Sequence, residues 1–133
     1  MITGQINANL EAVIPLVVQG QGEAVLALDV VLALDVVIDT GYSDFLTLPA
    51  GTIATLGLEQ AATGVLTLAD GSKVVSAIYL ATVRWDGLPR HDITVDALET
   101  APLIGVSLLA GYELKACFVA GAPVTLTACE LNP

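Results

Sequence analysis

Short apolar runs fill most of this chain, and Gly, Pro, Asn and Asp interrupt them every 8 to 15 residues. Val, Ile, Leu and Thr dominate the runs between these breaks, while helix signals are scarce. That pattern predicts an all-β domain. Strands are expected near Ile2–Asn7, Glu11–Val18, Glu23–Ile38 (broken or bent), Gly64–Leu68, Lys73–Trp85, His91–Asp96, Leu114–Phe118 and Val124–Ala128. Asp70-Gly71 and Asp86-Gly87 are hairpin-turn signals. Two short helical pieces fit the remainder. Ala50–Leu56 follows Pro49 and stops at Gly57, and Val106–Leu109 stops before Gly111.

One repeat stands out. Leu26-Ala27-Leu28-Asp29-Val30-Val31 recurs at once as Leu32-Ala33-Leu34-Asp35-Val36-Val37. An even-numbered copy preserves the inward and outward alternation and adds about 20 Å if fully extended. A prolonged hairpin arm and a bulged strand both accommodate it. Asp29 and Asp35 then mark a solvent face or edge that discourages sheet-to-sheet association.

A length of 133 residues corresponds to one domain, 1–133, with a core of its own. Apolar residues make up 55% of the chain, which excludes disorder. The formal charge is -10, with only four Lys and Arg, and this argues against nucleic acid or an anionic membrane as partner. The apolar run from Ala24 to Ile38 is broken by Asp29 and Asp35 and is too short for a membrane span. Met1 to Gln5 lack the basic start of a targeting segment. Cys117 and Cys129 do not make a disulfide scaffold, so a reducing cytoplasm is the default. They are expected to serve as a buried small hydrophobe and a residue near a loose end.

The chemistry concentrates in Val37-Ile38-Asp39-Thr40-Gly41-Tyr42-Ser43, where an apolar run delivers one carboxylate into a Thr-Gly turn. An ordinary strand-ending turn is the competing reading, because Asp and Gly are common turn residues. Elsewhere the candidates are weaker. His91 lacks a second histidine or a cysteine pair nearby, so no metal site is expected, and no cofactor motif occurs. Trp85 is expected to pack against the sheet. Ser43, Ser72, Ser76 and Ser107 sit in no nucleophile elbow.

The ordered set of segments resembles the retropepsin-like (clan AA) single-domain aspartic peptidases, particularly the small bacterial members. The likeness spans essentially the whole chain. It rests on Ala12-Val13-Ile14-Pro15-Leu16, Val37-Ile38-Asp39-Thr40-Gly41, Phe45-Leu46-Thr47-Leu48-Pro49, Leu68-Ala69-Asp70-Gly71-Ser72, and Leu103-Ile104-Gly105-Val106-Ser107-Leu108-Leu109 before Gly111-Tyr112-Glu113-Leu114. The resemblance implies a closed or curled β-barrel with one short helix and one lobe per chain. Asp39 falls on the catalytic aspartate, Thr40 on the threonine that links two subunits beneath the site, and Gly41 on the turn glycine. Ser43 falls on a hydroxyl position suited to donate to the outer oxygen of Asp39. Leu103-Ile104-Gly105 looks like the structural element that crosses behind the active-site loop. Ala69-Asp70-Gly71-Ser72 falls where such enzymes carry their flap, a plain solvated β-turn being the alternative. Tyr42, Leu46, Ile78 and Leu103 are expected to line the cleft.

Such enzymes hydrolyse a peptide bond with two carboxyl groups that share one proton, one drawing a proton from water and the other bonding the carbonyl oxygen. This chain carries the Asp-Thr-Gly triplet once. The resemblance therefore implies a C2 homodimer with Asp39 from each copy at the axis, terminal strands interleaved at the interface, and extended peptides as substrates. Two departures bear on activity. Tyr42 stands where a small residue is usual, and the repeat lengthens the approach to Asp39. A catalytically inactive dimeric peptide-binding module of the same fold is the alternative function, and a purely structural β dimer is the third.

Overall fold

The computed structural model describes residues 1–20 and 30–130, so the first copy of the repeat up to Asp29 lies outside the described residues. The elements in chain order are β1 (Ile2–Ile6), β2 (Ala12–Gly20), β3 (Val31–Ile38), β4 (Leu46–Leu48), α1 (Ala50–Leu56), β5 (Glu59–Thr67), β6 (Lys73–Trp85), β7 (Leu88–Ala97), β8 (Leu103–Ile104), α2 (Val106–Leu109), β9 (Tyr112–Ala116) and β10 (Pro123–Ala128). The domain is all-β in character, but two short helices are present among the described residues where the family resemblance implied one. β5 also starts earlier than the sequence pattern suggested, and β4 and β8 are strands that the pattern did not mark.

The strands form one sheet in the order β5-β6-β7-β4-β8-β3-β2-β1-β10-β9. A further ladder, from Val17↔Arg84 to Gly20↔Ala81, joins β2 to β6 and closes β2, β6, β7, β4, β8 and β3 into a ring. β2 can serve both β3 and β6 because it is long and its inward positions are uniformly small to medium apolar residues. Ala12, Ile14, Leu16 and Val18 are buried, whereas Pro15 and Gln19 face solvent. Leu46, Leu48, Val83, Val95, Ile104 and Leu108 fill the interior from the other strands and α2. Close packing of such branched side chains is the dominant source of stability.

α1 ends as its sequence predicts. Gly57 takes φ 65, and its N–H donates to the carbonyl of Ala54, closing the last turn. The β6–β7 hairpin turns through Asp86 (φ 54) and Gly87 (φ 84), the two left-handed residues of a type I′ turn. Asp86 accepts hydrogen bonds from the Met1 ammonium (2.6 Å) and the Tyr112 hydroxyl (2.9 Å), which hold its carboxyl below the usual carboxylate range. Trp85 packs edge-on to Tyr112, with ring centroids 5.5 Å apart.

β1 lies between β2 and β10 of its own chain, with Gln5↔Val13 on one side and Ile2↔Leu126 to Gln5↔Pro123 on the other. β10 is flanked in turn by β9. β1 and β10 are thus paired to each other within one chain. Gly4 makes this crossing possible, because a Cβ there would overlap the Val13 carbonyl oxygen. Cys117 and Cys129 are both free and exposed, so neither serves as a buried hydrophobe. No helix among the described residues is long and apolar enough to cross a membrane.

Candidate active site

β3 and β4 carry the chain into and out of the loop that holds Asp39, and β8 runs between them. β8 is parallel to β3 (Val37↔Leu103, Ile38↔Ile104) and antiparallel to β4 (Leu46↔Ile104, Thr47↔Leu103). The loop is pinned from below by backbone bonds. Asp39 N–H donates to the Ile104 carbonyl (2.9 Å), Gly105 N–H to Phe45 (3.1 Å) and Val106 N–H to Tyr42 (2.9 Å). The Ser107 hydroxyl donates to the Ser43 carbonyl at 2.5 Å. Gly105 allows this closeness: a Cβ there would lie 2.5 Å from the Tyr42 carbonyl oxygen and would overlap that of Asp44.

Within the loop, Gly41 N–H donates to Asp39 Oδ1 (2.9 Å), and a Cβ at Gly41 would sit 3.3 Å from the same oxygen. A glycine therefore suits the wrap of backbone around the carboxylate. Thr40, Gly41 and Ser43 are exposed, and Asp39 is half-buried. The loop is open to solvent or to a second molecule on the face that carries the acid.

Asp39 opens into a cleft of about 730 Å³. Gly41, Tyr42, Ser43, Asp44 and Leu103 form one side, and the end of β5 with Leu68 and Ala69 forms the other. The hairpin turn from Leu68 to Ser72 is tightly built. Leu68 N–H donates to the Ser72 carbonyl (2.8 Å), Gly71 N–H to Leu68 (2.9 Å), and Gly71 takes φ 85. Asp70 Oδ1 accepts the Ser72 hydroxyl (2.6 Å) and N–H (2.8 Å), which lower its pKa. The fold thus brings the β5–β6 turn and the Asp39 loop to one cleft, with Asp70, Gly71 and Ser72 exposed at the tip.

Two of the expected lining residues lie elsewhere. Leu46 is fully buried in the core behind the loop, because β4 has a neighbour on each edge and both its faces are covered. Ile78 packs over Gly64 within the β5–β6 hairpin and is not among the residues that line the cleft. Tyr42 and Leu103 do line it, and so do Asp44, Thr47, Leu98 and Thr100, which the sequence did not single out. His91 is exposed, with Nδ1 2.9 Å from Thr82 Oγ1.

The largest departure from expectation lies at Tyr42. Its hydroxyl donates to Asp96 Oδ2 at 2.5 Å, and the Leu46 carbonyl oxygen lies 3.3 Å away. Asp96, on β7, is only 7% exposed. Burial pushes its carboxyl above the usual carboxylate range, the Tyr42 hydroxyl pulls it back, and the Asp44 charge raises it further. Burial likewise raises the Tyr42 phenol, helped by Asp96, so the hydroxyl remains a donor. Sequence pattern pointed away from this acid: Ile93 and Val95 take the inward positions of β7, which assigns Asp96 to the opposite, solvent-facing side.

Comparison of the chain with protein-family models, with curated proteins and with solved structures finds no match. The functional reading therefore stands on the residues and their geometry.

Proposed function

We propose that this chain is an aspartic-type endopeptidase of retropepsin-like fold, active as a homodimer in which each copy supplies Asp39. The ring of strands is read as one curled lobe of such an enzyme, and the β5–β6 hairpin as its flap. The observation that carries the reading is the placement of Asp39, on an exposed loop between two strands, opposite a hairpin turn across a cleft. Gly41 N–H holds one oxygen of the carboxylate. The two free thiols fit a reducing cytoplasm.

The chemistry follows from two such acids brought together. Two carboxylates about 3 Å apart cannot both ionise cheaply, so the pair holds one proton. The ionised member takes a proton from water as its oxygen adds to the scissile carbonyl carbon, and the protonated member donates to the carbonyl oxygen. The C–N bond then breaks as the amine nitrogen receives a proton from the pair. Val65, Leu66, Leu68 and Leu103 give the cleft an apolar wall, which favours apolar side chains beside the scissile bond.

The test compares the native chain with Asp39→Asn (D39N) on a mixed peptide library from pH 3 to 8, with cleavage read by mass spectrometry and mass by sedimentation. Cleavage by a native dimer alone, blocked by a statine-type transition-state mimic, supports the proposal. A second reading, an inactive dimeric peptide-binding module, is favoured by the Tyr42 ring, which occupies cleft wall where a small residue would leave space. A verified dimer that binds peptides without cutting them selects that reading.

A further inference from the structure

We infer that Tyr42 and Asp96 are a positioning pair that ties the Asp39 loop to the root of the β5–β6 hairpin. The inference rests on the peptidase reading above.

Tyr42 is gripped at every polar atom. Its N–H donates to the Asp39 carbonyl (3.1 Å), its own carbonyl accepts from Val106, and its hydroxyl donates to Asp96. Its ring lies over Gly105, where a Cβ would come within 2.7 Å of Cδ2. Only Thr40 and Gly41 separate the acid from a side chain that is fixed at both ends, so the conformation of the turn follows the position of that ring.

Asp96 is equally constrained from the other direction. It is registered against Thr47 of β4 and Ile78 of β6, and the next pairing outward from Ile78 is Ala62 of β5. Its carboxylate therefore reports the position of the hairpin root. A hydroxyl–carboxylate bond of this kind is charge-assisted and stronger than a neutral one. Each partner would be costly alone, since a buried carboxyl or hydroxyl without a partner loses its hydration for nothing. A small residue at the Tyr42 position could not reach Asp96, so the bulky ring has a structural task besides shaping the cleft.

A positioning role acts on the reaction rather than on binding. Displacing a reacting carboxylate by a fraction of an ångström weakens turnover while leaving most substrate contacts intact. The experiment uses the full chain and three variants, Tyr42→Phe (Y42F), Asp96→Asn (D96N) and the double variant. Y42F removes only the hydroxyl and keeps the ring, so it carries the test even where D96N fails to fold. Peptide cleavage should show kcat lower by roughly 10- to 100-fold with KM changed by less than about threefold. The double variant should be no worse than the more damaged single one, as two halves of one contact require. Tyr79→Phe on β6 serves as a control and should match the native chain.

Amide hydrogen exchange supplies a readout that does not depend on cleavage. Exchange over residues 39–44 should quicken in Y42F and D96N, with β9 and β10 unchanged. Native-like exchange in that segment overturns the inference, whether or not the protein cuts peptides. A rise in KM alone, or additive losses in the double variant, also overturns it. Quickened exchange in the variants, with a native chain that proves inactive, keeps the pair as a loop-positioning device and removes the peptidase reading instead.

Discussion

The Asp39 amide donates to the Ile104 carbonyl oxygen at 2.9 Å, and the next residue, Gly105, has no room for a side chain beneath Tyr42 and Asp44. The acid is thus held by a segment far along the chain whose fit depends on a missing Cβ. Gly105→Ala should displace the loop, because the obstructing atoms are backbone oxygens that cannot rotate away. The expected cost is about 3 kcal/mol, the upper part of the range for overpacking. Urea unfolding checks it: the midpoint should fall with the slope unchanged. A native-like midpoint would mean that the loop is looser than these contacts require.

Asp96 gives stability a pH dependence of a stated sign. Its carboxyl is raised in the folded protein by burial, so the folded state holds the proton more tightly than the unfolded chain. Stability from this group is gained as pH falls through the folded pKa and lost as pH rises from the ordinary carboxylate value through it. Asp44 and the Tyr42 hydroxyl are the groups facing it that modulate the window. D96N lacks the titration. Its stability relative to the native chain should therefore improve as pH is raised above about 4, then level off. Thermal melts at a series of pH values measure this, and a pH-independent difference would sink the prediction.

At the hairpin tip, Ser72→Ala removes the hydroxyl that Asp70 Oδ1 accepts at 2.6 Å. The Asp70 carboxyl, held low chiefly by that bond, should move back up toward its ordinary value. NMR titration of the side-chain carboxyl reads the shift directly. The melting temperature should barely change, since the turn is exposed and its backbone bonds remain.

Behind the loop, Arg90 Nη1 donates to the Leu108 carbonyl (3.1 Å), and its guanidinium lies 5.7 Å from the centroid of Phe45. Arg90→Ala should cost about 1–2 kcal/mol through the lost charged hydrogen bond and cation–π contact. Arg90→Lys should recover only part of that, because an ammonium lacks the planar fork. Denaturant midpoints for the two variants test the order.

Much of this arrangement was legible in the chain where local chemistry and burial agree. Lys73–Trp85, Ala50–Leu56 and Val106–Leu109 have the bounds that the Asp-Gly turn signals and the glycine stops imply. β4 and β8 escaped notice because three or two residues are too few to show a period, and only their neighbours make them strands. β5 extends beyond its sequence signal for a different reason. Glu59 to Thr63 are exposed, so the hydrophobic pattern has nothing to mark there. At the site, Asp39 and its turn were visible as a motif. Asp96 was not, because its burial comes from Tyr42 and from strands distant in sequence rather than from its own neighbours.

The pairing of β1 with β10 sets a timetable for the molecule's assembly. Ile2 to Gln5 leave the ribosome well before their partners, Pro123 to Leu126. The sheet cannot be completed until β10 has been made, and until then β1 has a bare edge open to strands of other chains. Long-range ladders of this kind place refolding in the slow class, roughly milliseconds to seconds. A nascent chain cut short before β10 would carry the whole Asp39 loop and still be unable to close the sheet on which its first strand rests.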